Sequence, residues 1–462
     1  MEYENLKDEL LSAIDTGLKF ARTIDGEAEF EIYLFFQNSA KANIKQGVVE
    51  ATDGIVKGNA VRVAKQNCIS FASSSGISPG RIRRSINEAV AGLRWVSIKD
   101  EQFEGFCEPK KPGKEGTFAS EILDLGKEEL IGYAKDLVKD GQEFDSRILM
   151  VEGSCSATWG GFAIGNTQGL QQASRSASNY CDLCCIAMNK EERRAGYEYD
   201  ITRERLIKTE GMGENAARKA ISLLGARKLN EVTVLPTIWE PIAAAAYVAA
   251  SVAQSAGGHA VVEGRSPLAG KIGEEIANPN LTIIDDGQNP SSIMTEAIDA
   301  EGHPQQKNTL IEKGKLNQFM FDTYYAHIYG TESTGNCSRG GAHSTLPYED
   351  SPGISPKSFE VLPGTKKMDD VINSIGGKAI LIVGIPMGIF HSNVATGEFS
   401  AVAQSAFLIQ DGEKKNPLQP VSVSGNFYKG FERLLELGSD LKKTPFSVET
   451  PGLLFDGFSI VG

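Results

Sequence analysis

Residues 240–256 read EPIAAAAYVAASVAQSA, and the chain changes character across them. An Ala-rich stretch of this kind favours a helix, since alanine loses least on entering one. Downstream come short β-type runs separated by glycine turns: LTIIDDG at 281–287, NTLIEKGKLNQFMFD at 308–322, KAILIVGI at 378–385 and FSAVAQSAFLIQDGE at 399–413. Lys313-Gly314 and Asp411-Gly412 each lie between apolar runs, which is a hairpin signal. The region 226–462 therefore reads as a β-rich C-terminal domain with mostly antiparallel strands.

Upstream the pattern mixes both periods. Leu6, Leu10, Ile14 and Leu18 recur at helical spacing, and Ile82, Ile86, Ala89, Val90 and Leu93 do so again. Between them EFEIYLFF (29–36), AKANIKQGVVE (40–50), NAVRVAK (59–65) and NCISFASSS (67–75) read as strands. These make an N-terminal α+β domain over 1–100. Residues 101–120 lose periodicity and gain Pro, Gly and Lys, the composition of a linker. A helix near Lys127 to Val138, strand-like runs at 147–159, 160–169 and 177–188, and a helix from Gly213 to Leu224 make a central α+β domain over 121–225. The fold class is α+β throughout.

Composition excludes several functions. Sixty acidic residues against 47 basic leave a net charge of −13, so no basic stripe offers itself to nucleic acid. The apolar stretch Ile242 to Ala253 is broken by Ser251 and falls short of the ~20 residues that span a bilayer. The N-terminus lacks a secretory pattern, so a cytoplasmic location with no membrane contact is expected. Seven cysteines do not make a disulfide framework, and Cys181, Cys184 and Cys185 lack a second pair for zinc. They read as buried thiols on a strand.

Several motifs fail on their own chemistry. Gly76-Ile77-Ser78-Pro79-Gly80 fits a nucleophile elbow in letters only, because Pro79 has no N–H for an oxyanion hole. Ser78 and Pro79 suit the N-cap and first turn of the helix that follows. Gly211-Met212-Gly213-Glu214-Asn215-Ala216 resembles a dinucleotide turn, but charged residues precede it where a core strand is required. No two of the five histidines have zincin spacing. Asp285-Asp286 and Asp299 to Glu301 are acidic clusters expected as solvated turn residues.

A run of C-terminal blocks carries more. Ser266 to Glu274 (SPLAGKIGE), Leu281 to Asp286, Thr295 to Gly302 (TEAIDAEG), Leu310 to Gly314, Thr334-Gly335-Asn336, Gly397 to Ser400 and Ser424 to Phe427 occur in register. Together they resemble the TldD/PmbA family, nearly the whole chain long. The resemblance implies a zinc metalloprotease assembly in which TldD-type chains carry H-E-x-x-x-H and a C-terminal cysteine. TldE/PmbA-type chains lack both. Counting back from Gly270 places Ala249, Ala250 and Gln254 at those three positions, and no His or Glu lies between Pro241 and Gly258. Neither alanine nor a glutamine amide replaces a zinc-binding imidazole.

The expectation is a zinc-less subunit with no metal or catalytic residue of its own, paired with a TldD-type zinc subunit and handling unfolded peptides. An isolated chain could form homodimers. The loops at Thr334, Gly335 and Asn336, at Gly397, Glu398 and Phe399, and at Gly425 and Asn426 are candidates for a peptide groove or interface. Cys337, His343 and His391 depart from the family pattern and leave two alternatives: a self-sufficient peptidase with a non-family site, or a non-enzymatic peptide-binding scaffold. The family's older label, modulator of DNA gyrase, finds no support in an acidic chain.

Overall fold

The computed structural model of the protein describes residues 2–230, 232–340 and 346–462. Helix α1 (Leu6–Ile24) is followed by three strands, β1 (Glu29–Lys45), β2 (Val48–Lys65) and β3 (Cys68–Ser75), and by helix α2 (Pro79–Gly92). The run 40–50 holds a hairpin turn rather than one strand. Gln46 and Gly47 have φ of 51° and 79°, and Gln66 and Asn67 have 52° and 63°. Two central residues at positive φ give the turn whose twist matches the strands it joins. Ser78 occupies the N-cap of α2, but its side chain makes no capping bond. The fixed φ of Pro79 is what suits that start.

After the linker come α3 (Lys127–Glu143), β4 (Ile148–Asn166), β5 (Gln171–Asn189), β6 (Glu192–Thr202) and α4 (Met212–Ser222). The six strands form one antiparallel sheet in the order β3-β2-β1-β4-β5-β6. The stretch 101–120 does not separate two sheets, because β1 pairs with β4 from Glu31–Asn166 to Ile44–Gly153. It acts instead as a strap. Asn166 Nδ2 donates to Cys107 O at 2.7 Å, Gly113 N to Ala297 O at 2.8 Å, and Ala119 N to Arg203 O at 2.7 Å.

Strand alternation sorts the two faces. Phe30, Ile32, Leu34 and Phe36 pack with residues of α1 and α2, while Ala40, Ala42 and Ile44 on the same face pack with α3 and α4. Cys155, Cys181 and Cys185 belong to this second core and serve as small apolar groups. Gly213 also finds its reason here. A Cβ on it would meet Gly141 N at 2.7 Å and the carbonyl of Leu137, so the glycine lets α4 press on α3. Gly213→Ala should cost about 1–3 kcal/mol in urea denaturation, whereas Gly132→Ala on the open side of α3 should be neutral or stabilising.

Among the described residues the C-terminal domain holds two large sheets around a central helix and a short two-stranded pair, Cys337–Ser338 with Gly353–Ile354. The larger contains β7 (Val232–Trp239), parallel to Lys378–Val383 and antiparallel to Leu453–Val461. Glu398–Ala403 and Val421–Asn426 extend it on one side, Ser405–Gln410 and Glu413–Leu418 on the other. The smaller runs through Lys307–Glu312, Ile283–Asp286, Phe359–Val361 and Val448–Thr450. Helix α5 (Pro241–Ala250) has every residue from Ile242 to Val248 buried. A helix that is apolar all round belongs in a core. Trp239, Phe399, Phe427, Phe431, Phe455 and Phe458 surround Tyr247 with ring centroids 4.9–6.0 Å away. Among the described residues no helix is long and apolar enough to cross a membrane.

Candidate functional site

The Ala-rich stretch 240–256 does not form one unbroken helix. It stops at Ala250, Ser251 adopts φ −117° and ψ −90°, and a last turn α6 (Val252–Ser255) follows. Hydroxyls hold the break together. Ser251 Oγ donates to Tyr247 O at 2.6 Å, Ser255 Oγ to Ser251 O at 3.1 Å, and Ser266 Oγ to Ser255 O at 2.6 Å. Ala250 is buried, Ala249 half-buried and Gln254 exposed. Residues five apart on a regular α-helix point about 140° away from each other. Side chains at 249 and 254 could therefore converge only across an interruption such as this one.

The candidate groove loops fall in two places. Gly397, Glu398 and Phe399 lie beside Gly425 and Asn426, because Glu398 pairs with Asn426 and Phe399 with Gly425. Asn426 Oδ1 accepts from Tyr428 N and Lys429 N, and its Nδ2 donates to Thr396 O at 2.7 Å. Phe399 is buried and stacked on Phe427, centroids 4.7 Å apart. Glu398–Ala403 is an edge strand, but its own chain covers most of that edge. Met387 and Val402 exchange both backbone bonds, and Asn393 N donates to Glu398 O. An extended peptide would find little free edge there.

Thr334, Gly335 and Asn336 sit elsewhere, in a buried polar knot. Thr334 Oγ1 accepts from Phe321 N at 2.7 Å and donates to Asn336 Oδ1 at 2.7 Å. Asn336 Nδ2 donates to Asp285 Oδ2 at 2.6 Å, while Lys357 N and Ser358 N donate to Asp285 Oδ1. These residues cross-link loops.

The knot continues into the seam between the N-terminal sheet and the C-terminal domain. Glu31, fully buried, accepts from Arg62 Nε and Nη2 at 2.8 Å each and from Arg339 Nη2 at 2.7 Å. Arg62 Nη2 also donates to Glu301 Oε1 at 3.1 Å, and Arg339 lies 4.6 Å from the Tyr33 ring centroid. Asp299 accepts from the backbone of Glu301, His303 and Cys337. The expectation of solvated acidic turns is thus corrected for Asp285, Asp299 and Glu301. They are buried, and backbone N–H groups and cations take the place of water.

Two family descriptions match this chain: PmbA/TldA metallopeptidase central domain over residues 120–224, and PmbA/TldA metallopeptidase C-terminal domain over residues 233–462. The chain belongs to the PmbA/TldD family. It is similar to TldE of Thermococcus kodakarensis at 25% identity, covering 97% of this chain and 100% of that one with a TM-score of 0.88. An uncharacterised protein of Methanocaldococcus jannaschii is 27% identical over 94% of this chain and 97% of its own length. Metalloprotease PmbA of Escherichia coli is 23% identical over 87% of this chain and 85% of its own length.

The residues of this PmbA/TldD chain do not fit a family metal on the central helix. Ala249 and Ala250 carry no donor, and Gln254 offers only an amide. Among the described residues no three His, Cys, Asp or Glu side chains stand close enough to share an ion. Cys337 is buried, and its thiol is pushed well up by that burial and by the charges of Glu301 and Asp299. Both effects favour the neutral thiol over the thiolate. His391 is exposed at the end of a short turn, and His343 lies outside the described residues.

Burial and the neighbouring Glu301 charge raise Asp299 and Asp322 to about 7. Burial pushes Glu301 up too, but Arg62 and the Thr323 N–H more than offset it and hold its carboxyl low. A carboxyl raised in the folded state contributes stability below its unfolded pKa near 4, and loses it as pH rises towards 7. The melting temperature should accordingly fall between pH 5 and pH 8. Asp322→Asn, which keeps the cap on Tyr325 N, should flatten that slope in a pH series by calorimetry.

Proposed function

We propose that this chain is the non-catalytic partner of a TldD-type zinc protease subunit and contributes to holding unfolded peptides beside that subunit's metal. The broken helix at 241–255 carries the reading. It keeps the interruption a five-residue ligand spacing needs, yet presents alanine, alanine and glutamine across it. The likeness to a TldE supports the same assignment.

Two surfaces suit such a role. Lys41, Asn43, Ser154, Ser156, Tyr180 and Asp182 alternate with helix-facing residues and form a polar sheet face with neighbouring side chains in register. Polar, hydrogen-bonding walls suit a chamber that takes many sequences. Beside the edge strand, Ile385, Met387 and Phe390 are 42%, 58% and 50% exposed. Clustered apolar exposure of this kind marks a protein interface.

Co-expression with a TldD-type chain tests the reading. Expected are co-purification, casein cleavage by the pair alone, and loss of cleavage on chelation. Met387→Glu with Phe390→Asp should abolish co-purification. Cleavage by this chain alone, insensitive to chelator, would overturn it.

A further inference from the structure

The six-stranded sheet ends on β3, and the outer edge of that strand is bare. Its sequence, CISFASSS, is 8 residues long and holds neither a charge nor a proline. Pairing with β2 runs from Lys65–Cys68 to Gly58–Ser75. Every second residue of such an antiparallel edge strand turns its N–H and C=O away from the partner. Among the described residues nothing outside that ladder bonds the main chain of 69–73. An open edge of this length is a template for another strand, and native chains usually guard it. Other long edges are guarded here. β6 carries Glu192, Arg193 and Arg194, Glu413–Leu418 carries Lys414, Lys415 and Pro417, and Glu398–Ala403 is covered by its own chain.

A cavity adjoins this edge. Asp100 N donates to Asn67 O at 2.7 Å, which pins the chain at the start of β3, and no backbone bond joins 101–106 to the strand beyond that point. The cavity, of about 370 Å³, is lined by Ile69, Ser70 and Phe71 from the edge and by Asp100, Phe103 and Phe106 from the segment opposite. Phe103 and Phe106 have ring centroids 5.3 Å apart. Tyr324 and Tyr325 line it too, and Tyr324 OH donates to Asp100 Oδ1 at 3.2 Å. Walls of this kind suit an aromatic guest, which gains edge-to-face contacts beyond its burial. Asp100, Glu301 and Asp322 stand there against one cation, Arg62, which Glu31 and Glu301 already hold. That balance disfavours an acidic side chain.

We propose that an extended peptide adds to the outer edge of β3 as a further strand of this sheet, with one of its aromatic side chains in the adjoining cavity. Main-chain bonds give such a site affinity for many sequences, and the cavity selects at one position. This deepens the peptide-holding reading by naming where a peptide lies, and the origin of that peptide rests on the reading. The strand addition itself does not.

Fluorescence anisotropy of a labelled peptide, Lys-Thr-Val-Phe-Val-Thr-Lys with both ends blocked, titrated with the full chain decides it. Saturable binding at one equivalent is expected. N-methylation of the two valines removes the donors of one peptide edge, and N-methylation of the two threonines removes those of the other. One methylated peptide should bind like the parent and the other at least ~10-fold more weakly, through the loss of two main-chain bonds. Glutamate in place of the central phenylalanine should weaken binding ~10-fold. Phe103→Ala, on the segment opposite the edge, should weaken the parent peptide ~5-fold with the melting temperature unchanged. Equal effects of the two methylations would overturn the proposal, as would no saturable binding, equal binding of the glutamate peptide, or an unaffected Phe103→Ala. Sedimentation that shows a dimer dissociated by the peptide would also overturn it, since a second copy would then hold the edge. All of these are read on this chain alone, so co-purification with a TldD-type chain stands or falls separately.

Discussion

Glu31→Ala should destabilise the chain by about 3–5 kcal/mol, because among the described residues it leaves the buried Arg339 without a carboxylate and Arg62 with Glu301 alone. Arg62 and Arg339 both donate to Glu31, and their side chains are 14% and 1% exposed. Removing one partner of a buried network leaves the others charged and poorly solvated. Urea denaturation followed by tryptophan fluorescence measures the loss. Arg339→Leu in the Glu31→Ala background should add less than it costs alone, since the charge it removes has already lost its partner. Strict additivity of the two would show that the network is not one unit. A second consequence is spatial. Glu31 lies on β1 and Arg339 in the C-terminal domain, so the variant should also expose the seam to proteolysis.

Rebuilding the missing motif should fail for a packing reason. Ala249→His, Ala250→Glu and Gln254→His together insert a carboxylate where Ala250 is 4% exposed, inside the core that also holds Ala253 and Ala256. An unpaired buried charge plus overpacking is expected to cost several kcal/mol, on the order of 3 or more. The triple variant should give little soluble protein and bind no zinc at one equivalent. Gln254→His alone sits on the exposed side and should change stability by less than ~0.5 kcal/mol. A triple variant that folds and binds stoichiometric zinc would show that only three side chains separate this chain from a metal-binding one. These outcomes are read by thermal melting and metal analysis.

Local patterns in the sequence identified much of the fold. The apolar faces of α1 and α2 and the hairpins at Lys313-Gly314 and Asp411-Gly412 stand where periodicity and turn chemistry put them. Longer strands were harder to read. The run 147–169 divides at Gly160-Gly161 in sequence, yet β4 passes straight through, because those glycines face the backbones of β1 and β5 at close range. β6 is masked in the sequence by its charged residues, since Glu198 is held by Lys219 and Lys442 rather than by solvent. The loop 334–336, a candidate for groove or interface in the sequence, lies in a cross-link to Asp285 and Phe321 that the sequence does not reveal. A short polar side chain looks identical in sequence whether water or Asp285 satisfies it.

The sequence by itself determined what the central helix cannot do. No His or Glu lies between Pro241 and Gly258, so no shift in alignment restores a metal site there. That is a statement about composition, and packing cannot change it. Only the tertiary structure decided that one sheet crosses the 101–120 strap, that the helix breaks at Ser251, and that Asp285, Asp299 and Glu301 are buried. Each depends on partners distant in sequence: Glu301 meets Arg62 across 239 positions, and Glu31 meets Arg339 across 308. The burial of a charge is set by the groups that replace its water, and folding alone brings those groups together.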